Sequence, residues 1–182
     1  MMVTNSRLPF LDLINSEHIE GPGRVTDHLD DRAWAERLLV RWGRPMTLRD
    51  RDIEDLKQLR SALRSVIASA MTGERADPAA LARINACLAK AERTLHVRDS
   101  GSGELGLESG LAGSPAAFAA LSFADVLASG EMRRVKLCAN DDCHWAFFDG
   151  SRNRSKTWCS SAACGNLTKV RAFRARKRDS RV

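Results

Sequence analysis

Nowhere in the 182 residues does an apolar run approach the roughly eighteen positions that a bilayer crossing needs, so no membrane-spanning helix is predicted. An apolar leader is missing too: MMVTNSRLPFLDLIN is broken by Asn5, Arg7, Pro9 and Asp12 before an h-region could form, and the expectation is a cytoplasmic chain. No nucleophile–base pair, glycine-rich phosphate loop or HExxH pattern occurs, so no motif argues for catalysis and the chain is not expected to be an enzyme. Internal repeats and long linkers are also lacking. Acidic residues are scarce at one end only. Residues 131–182 hold 5 Asp+Glu against 13 Lys+Arg, whereas residues 1–130 hold 18 against 16. The basic excess therefore sits in the last quarter of the chain, where it points to a polyanion, most often nucleic acid, or else to a solvated tail.

Cysteine is nearly absent outside that quarter. Cys87 lies alone in an alanine-rich helical pattern and reads as a small buried hydrophobe. The other four, Cys138, Cys143, Cys159 and Cys164, form two pairs with four residues inside each pair and fifteen between them. Two such knuckles brought together can close the four-coordinate shell of one structural Zn²⁺, whose borderline softness suits thiolates. A pair of disulfides is the competing reading, and it suits a secreted protein; redox thiols are another. His144, next to Cys143, either replaces a ligand or is a solvated surface histidine. With 43% hydrophobic residues, the chain can bury one moderate core plus a small module that depends on the ion.

Apolar residues recur at three and four through the first 90 residues, so this part reads as helices. Phe10, Leu13 and Ile14 make a short first stripe. Asp27 is a candidate cap for a helix carrying Leu29, Ala33, Leu38 and Trp42, ended by Gly43 and Pro45. Thr47 with Asp50 resembles a capping box for a third helix, with Ile53, Leu56, Leu59, Leu63, Val66, Ile67 and Ala70 on its face and Gly73 as its stop. Asp77 and Pro78 open a fourth, with Leu81, Ile84 and Leu88. TLHVRD and GELGLES, around Ser100-Gly101-Ser102-Gly103, predict a β-hairpin. Ser114 and Pro115 start a last helix with Phe118, Leu121, Val126 and Leu127. The expected architecture is α+β, mainly α: a helical domain with a small β-hairpin over residues 1–130, then a separable treble-clef-like or ribbon-like zinc finger over 131–182 that ends in a basic helix. Asn15, His18, His28 and His96 are polar groups near apolar stripes; a pocket built on Asn15 or His96 would favour a small-molecule sensor or an enzyme instead.

MRRVKLC and HWAFFDG predict a hairpin that carries the first knuckle. Trp145 and Phe147 share a face of it, either stacking on bases or forming the small core of the module. The segment DGSRNRSKTW interleaves turn formers with Arg152, Arg154 and Lys156, which suits phosphate oxygens as well as plain solvation. After Cys164, Leu167, Val170 and Phe173 are three apart and are predicted to face inward. Lys169, Arg171, Arg174, Arg176, Lys177 and Arg178 would then lie outside.

The run from Cys138 to Arg178, with FFDGSRN, WCSSAAC, GN directly after the last cysteine and KVRAFRAR, resembles the bacterial CGNR-type zinc finger. The part beginning PFLDLINS resembles the helical domain that accompanies this finger in putative stress-induced transcription regulators. The resemblance implies one structural zinc, a nucleic-acid-binding C-terminus acting on duplex DNA, with RNA as the alternative, and an N-terminal domain that senses a small-molecule effector or a partner. Leu167 stands where the family's name motif has arginine, which would remove one phosphate contact.

Overall fold

The computed structural model describes residues 8–19, 24–99, 101 and 103–179. Asn5, Arg7, Ser100 and Ser102, used in the sequence reading, lie outside the described residues, as does the side chain of Arg178. The order is α1 (Pro9–Ile14), β1 (Glu17–Ile19), β2 (Val25–Asp27), α2 (Arg32–Arg41), α3 (Asp50–Thr72), α4 (Pro78–Leu88), β3 (Glu92–Asp99), β4 (Leu105–Ala112), α5 (Pro115–Ala128), β5 (Val135–Leu137), β6 (Ala146–Phe148) and α6 (Asn166–Asp179). The fold is α+β and mainly α, with three separate two-stranded antiparallel sheets among the described residues. No described helix is long and apolar enough to cross a membrane.

The long helix α3 is the axis of the body. Its Leu56, Leu59, Leu63 and Ile67 are buried at helical spacing, and α1, α4 and α5 pack on it. Helix α1 is only six residues long, yet Phe10, Leu11, Leu13 and Ile14 are all fully buried, so tertiary packing rather than propensity holds it. Phe10 meets Phe123 of α5 edge-on at 5.4 Å, and its N–H donates to Ser122 Oγ at 3.0 Å. Cys87 is buried as expected. Gly73, at φ 76°, ends α3 with its N–H on the Ser69 carbonyl.

Several local readings change. Asp31, not Asp27, caps α2, accepting from the Ala33 and Trp34 N–H groups. Asp27 caps a short 3-10 turn, His28–Asp30, and its carboxylate also meets the buried Arg60 at 2.6 Å. The cap of α3 is formed by Asp52 accepting from the Arg49 N–H, two residues beyond the Thr47 and Asp50 pairing. Ala35 and Leu39 of α2 are buried with Leu38, while Leu81 of α4 and Leu127 of α5 are exposed. Each shift follows from which face the neighbouring helices cover, a quantity that periodicity leaves free by one position either way.

The two parts of the chain share a core. Val135 and Ala146 of the C-terminal module are buried in the same cluster as α1 and α3, with Met132, Leu137 and Phe148 packed against it. Asn15 makes the joint specific: its Nδ2 donates to the Ala146 carbonyl at 2.9 Å and its Oδ1 accepts from the Ala146 N–H at 2.7 Å. Arg64 of α3 reaches the His144 carbonyl at 2.9 Å and also holds the carbonyls of Ile14 and Glu17. The change of charge near residue 130 is real, but it does not mark a break in packing. Asn15 thus serves this joint, and His96 is exposed on the β3 strand.

Candidate metal centre and nucleic-acid interface

Strands β5 and β6 pair as the sequence predicts, Lys136 opposite Phe147, and the turn between them carries Cys138 and Cys143. The Cys138 N–H donates to the Trp145 carbonyl at 2.8 Å, extending the ladder to the first ligand, and the Cys143 N–H donates to the Asn140 carbonyl at 2.8 Å. His144 takes up a left-handed backbone conformation directly after the knuckle, at φ 51°. The second knuckle is a π-helical turn, Ser161–Gly165, opened by Ser160, whose side chain accepts from the Ala163 N–H. A Cβ at Gly165 would lie 3.2 Å from the Trp158 ring, closer than an ordinary contact, so a side chain after the last cysteine would have to displace the indole packed against it. Thr168 Oγ1 returns to the Cys164 carbonyl at 2.9 Å, fastening α6 to the final ligand position.

These elements bring the four cysteine sulfurs within 4.8 Å of one another, with Cys143–Cys159 and Cys159–Cys164 at 3.6 Å. Tetrahedral Zn–S bonds of about 2.3 Å put sulfurs about 3.8 Å apart, so the donor set and its size fit one zinc ion. The four sulfurs converge on one point rather than two by two, and none of the five cysteines is in a disulfide, which is the arrangement of one metal site. Burial pushes the Cys143 thiol up to about 11 and Cys159 higher still; at Cys164 burial is outweighed by hydrogen bonds from Asn140 and the neighbouring thiols, and its pKa falls. Such a cluster carries several thiolates together only against a compensating cation. Phe147 lies beneath the knuckles with Cys138 and Cys164, completing a very small core. Trp145, on the same face, is more exposed and meets the His18 ring edge-on at 6.2 Å.

The basic loop between the knuckles is built on a residue that the sequence reading took only as a turn former. Asp149 is fully buried. One carboxylate oxygen accepts from the Ser151 N–H and hydroxyl at 3.0 and 2.6 Å; the other accepts from the Lys156 N–H and Lys136 Nζ at 2.9 and 2.8 Å. Burial alone would raise its pKa, but these donors hold it well below the usual carboxylate range. Lys136 Nζ donates in addition to the Arg154 and Lys156 carbonyls, and Arg134 to those of Asp149 and Ser151. The loop is fixed from inside, while Arg152, Arg154 and Lys156 point into solvent. Arg154 sits at φ 50°, a left-handed conformation that the surrounding bonds impose. The sequence signal for this hub was a lone acid at the end of an apolar strand, directly before Gly150 and Ser151.

Helix α6 forms as predicted, but its apolar stripe does not turn inward. Leu167, Val170 and Phe173 are 50%, 37% and 60% exposed. The cysteines, Phe147 and Trp158 already fill the finger's core, so no layer remains beneath the helix past its first turn. Lys169, Arg171, Arg174, Arg176 and Lys177 are exposed along it. Arg171 is not a free cation: it pairs with Asp142 at 2.5 Å and reaches Asn140 Oδ1 at 3.4 Å, tying the helix to the first knuckle.

Residues 134–177 match the family model described as CGNR zinc finger, and residues 8–130 match ABATE, described as Putative stress-induced transcription regulator. No curated protein matches the chain significantly. Its four clustered cysteines form a finger able to hold one zinc ion, and the chain belongs to the ABATE family of putative stress-induced transcription regulators, with a CGNR zinc finger at its C-terminal end.

Proposed function

We propose that this protein is a non-catalytic transcription regulator that binds duplex DNA through its zinc finger. In this reading Cys138, Cys143, Cys159 and Cys164 ligate one structural zinc, and Arg152, Arg154, Lys156, Lys169, Arg174 and Arg176 contact phosphates, with Arg178 continuing the helix. Arg171 acts by positioning α6. The observation that carries the reading is the rigid presentation of the loop: the buried Asp149, paired with Lys136, holds the backbone from within, so that three cations face outward without a mobile loop having to be ordered on binding. Backbone fixed in this way suits phosphate contacts, which depend on position more than on base identity.

The zinc supplies the folding free energy of a module whose own apolar residues are few. The N-terminal domain then acts as sensor or interaction partner. A cleft of about 390 Å³ lies between α3 and the first knuckle, lined by Arg64, Ser65, Ala68, Leu137, Asn140 and His144. An effector held there would touch both parts of the chain at once.

Selection of zinc-loaded protein against a random duplex pool, followed by competition with structured RNA, tests the reading. Enrichment of one duplex sequence that RNA does not displace supports it. Displacement by RNA at lower concentration than by duplex moves the target to RNA, and failure to bind either removes the finger from nucleic-acid recognition.

A further inference from the structure

The hairpin of β3 and β4 has strands of eight residues each, and every residue of β3 is exposed. Apart from the ion pair of Arg93 with Asp125 of α5 at 2.7 Å, its described strand residues make little contact with the helical body. Two strands alone are marginal in water and need a further layer on an apolar face. This hairpin has such a face. The register sets Val97 opposite Leu107 and Asp99 opposite Leu105, so Leu95, Val97, Leu105 and Leu107 share one side. They are 54%, 69%, 76% and 64% exposed. The opposite side carries Thr94, His96 and an Arg98–Glu108 ion pair at 2.6 Å. One side is made for water and the other is not.

We propose that this apolar face packs against the same face of a second copy of the chain, in a two-fold dimer with the β3 strands antiparallel. Self-complementarity selects this occupant. A two-fold axis in the contact plane at the level of His96 sets Leu95 of one copy over Val97 of the other. The same operation brings the Arg93 end of one strand to the Asp99 end of the other, so opposite charges close the apolar patch at both ends. Arg93 is already paired with Asp125, so the partner's Asp99 joins an existing ion pair there and not a lone cation, and Asp99 is oriented by the Gly101 N–H at 2.8 Å. An isologous contact of this kind is the commonest form of closed association. Eight residues at about 3.4 Å and two strands about 4.8 Å apart give a face of about 27 by 10 Å. That is small beside the roughly 800 Å² per partner of a standard interface, so the association is weak and reversible.

Sedimentation velocity of the full zinc-loaded chain across the micromolar range tests this. The wild type shifts reversibly from monomer to dimer as concentration rises. Val97→Asp with Leu107→Asp stays monomeric throughout, with unchanged helical circular dichroism and one zinc retained, because neither side chain is buried within the monomer. Asp99→Arg weakens the dimer about tenfold by setting like charges together, whereas His96→Ser, on the wet side, leaves it intact. A wild type that is monomeric over the whole range overturns the proposal, as does a dimer that survives the double aspartate variant.

Discussion

Asn15→Ala isolates the joint between the helical body and the finger. Asn15 is buried, and its amide gives and takes one hydrogen bond each with the Ala146 backbone across 131 positions of sequence. In that pairing it acts as a one-residue strand for β6, whose outer edge it occupies. Truncation removes two buried hydrogen bonds and opens a polar gap between α1 and the finger. At about 1–1.5 kcal/mol for each buried bond, the loss is about 2–3 kcal/mol. For a chain of this size each kcal/mol moves Tm by about 2–4 °C, so the variant should melt roughly 4–12 °C lower. Differential scanning calorimetry of the zinc-loaded full chain is the assay, with zinc content measured alongside. Because the finger's own core does not use Asn15, the metal should stay bound at room temperature while the joint weakens. A melting point within about 1 °C of wild type would refute the reasoning, since the finger would then owe nothing to its seat on α1.

Other consequences are as direct. Cys159→Ser, or a strong chelator, should unfold the finger, because structural zinc contributes about 10–16 kcal/mol in comparable modules; Val135 and Ala146 belong to the main core, so melting of the N-terminal helices should shift down as well, and helices indifferent to chelation would contradict the shared core. Asp149→Asn should destabilise by about 2–3 kcal/mol at neutral pH by leaving the partly buried Lys136 cation without its carboxylate. The folded pKa of Asp149 lies below its ordinary 3.8, so its contribution is fully present above that value and is lost as pH falls through the folded pKa; the gap between wild type and variant, read by denaturant titration, should close on that side and not at alkaline pH. Arg174→Ala should lower the magnitude of the logarithmic salt slope for duplex DNA by about 0.9, and Leu167→Arg should raise it by as much, since Leu167 is half-exposed and an arginine fits there without disturbing the core; unchanged slopes in anisotropy titrations, with zinc retained, would take α6 off the binding surface.

Local sequence determined the features whose cause is local. The spacing of Cys138, Cys143, Cys159 and Cys164 implied one metal site, because a knuckle is closed within a few residues and needs only a second to meet it. Periodicity located α3 and α5, and Ser114 with Pro115 marked the start of α5 as read, since a cap bonds to the turn directly after it. The alternation around Ser100 to Gly103 predicted the β3–β4 hairpin for the same reason.

Tertiary structure decided which partner each polar group and each apolar stripe finds. Asp27 caps a short 3-10 turn rather than α2, and its carboxylate is at the same time the counter-ion of Arg60, 33 positions away. Asn15 is the C-cap of α1, a local role, but only the fold makes its amide the edge partner of Ala146. Asp149 reads as a turn former, yet only the folded loop converges four donors on it. The stripe of Leu167, Val170 and Phe173 has the period of a buried face, but period reports only that the residues share a side. Burial needs a layer on that side, and among the described residues the finger's core is already taken up by the cysteines, Phe147 and Trp158.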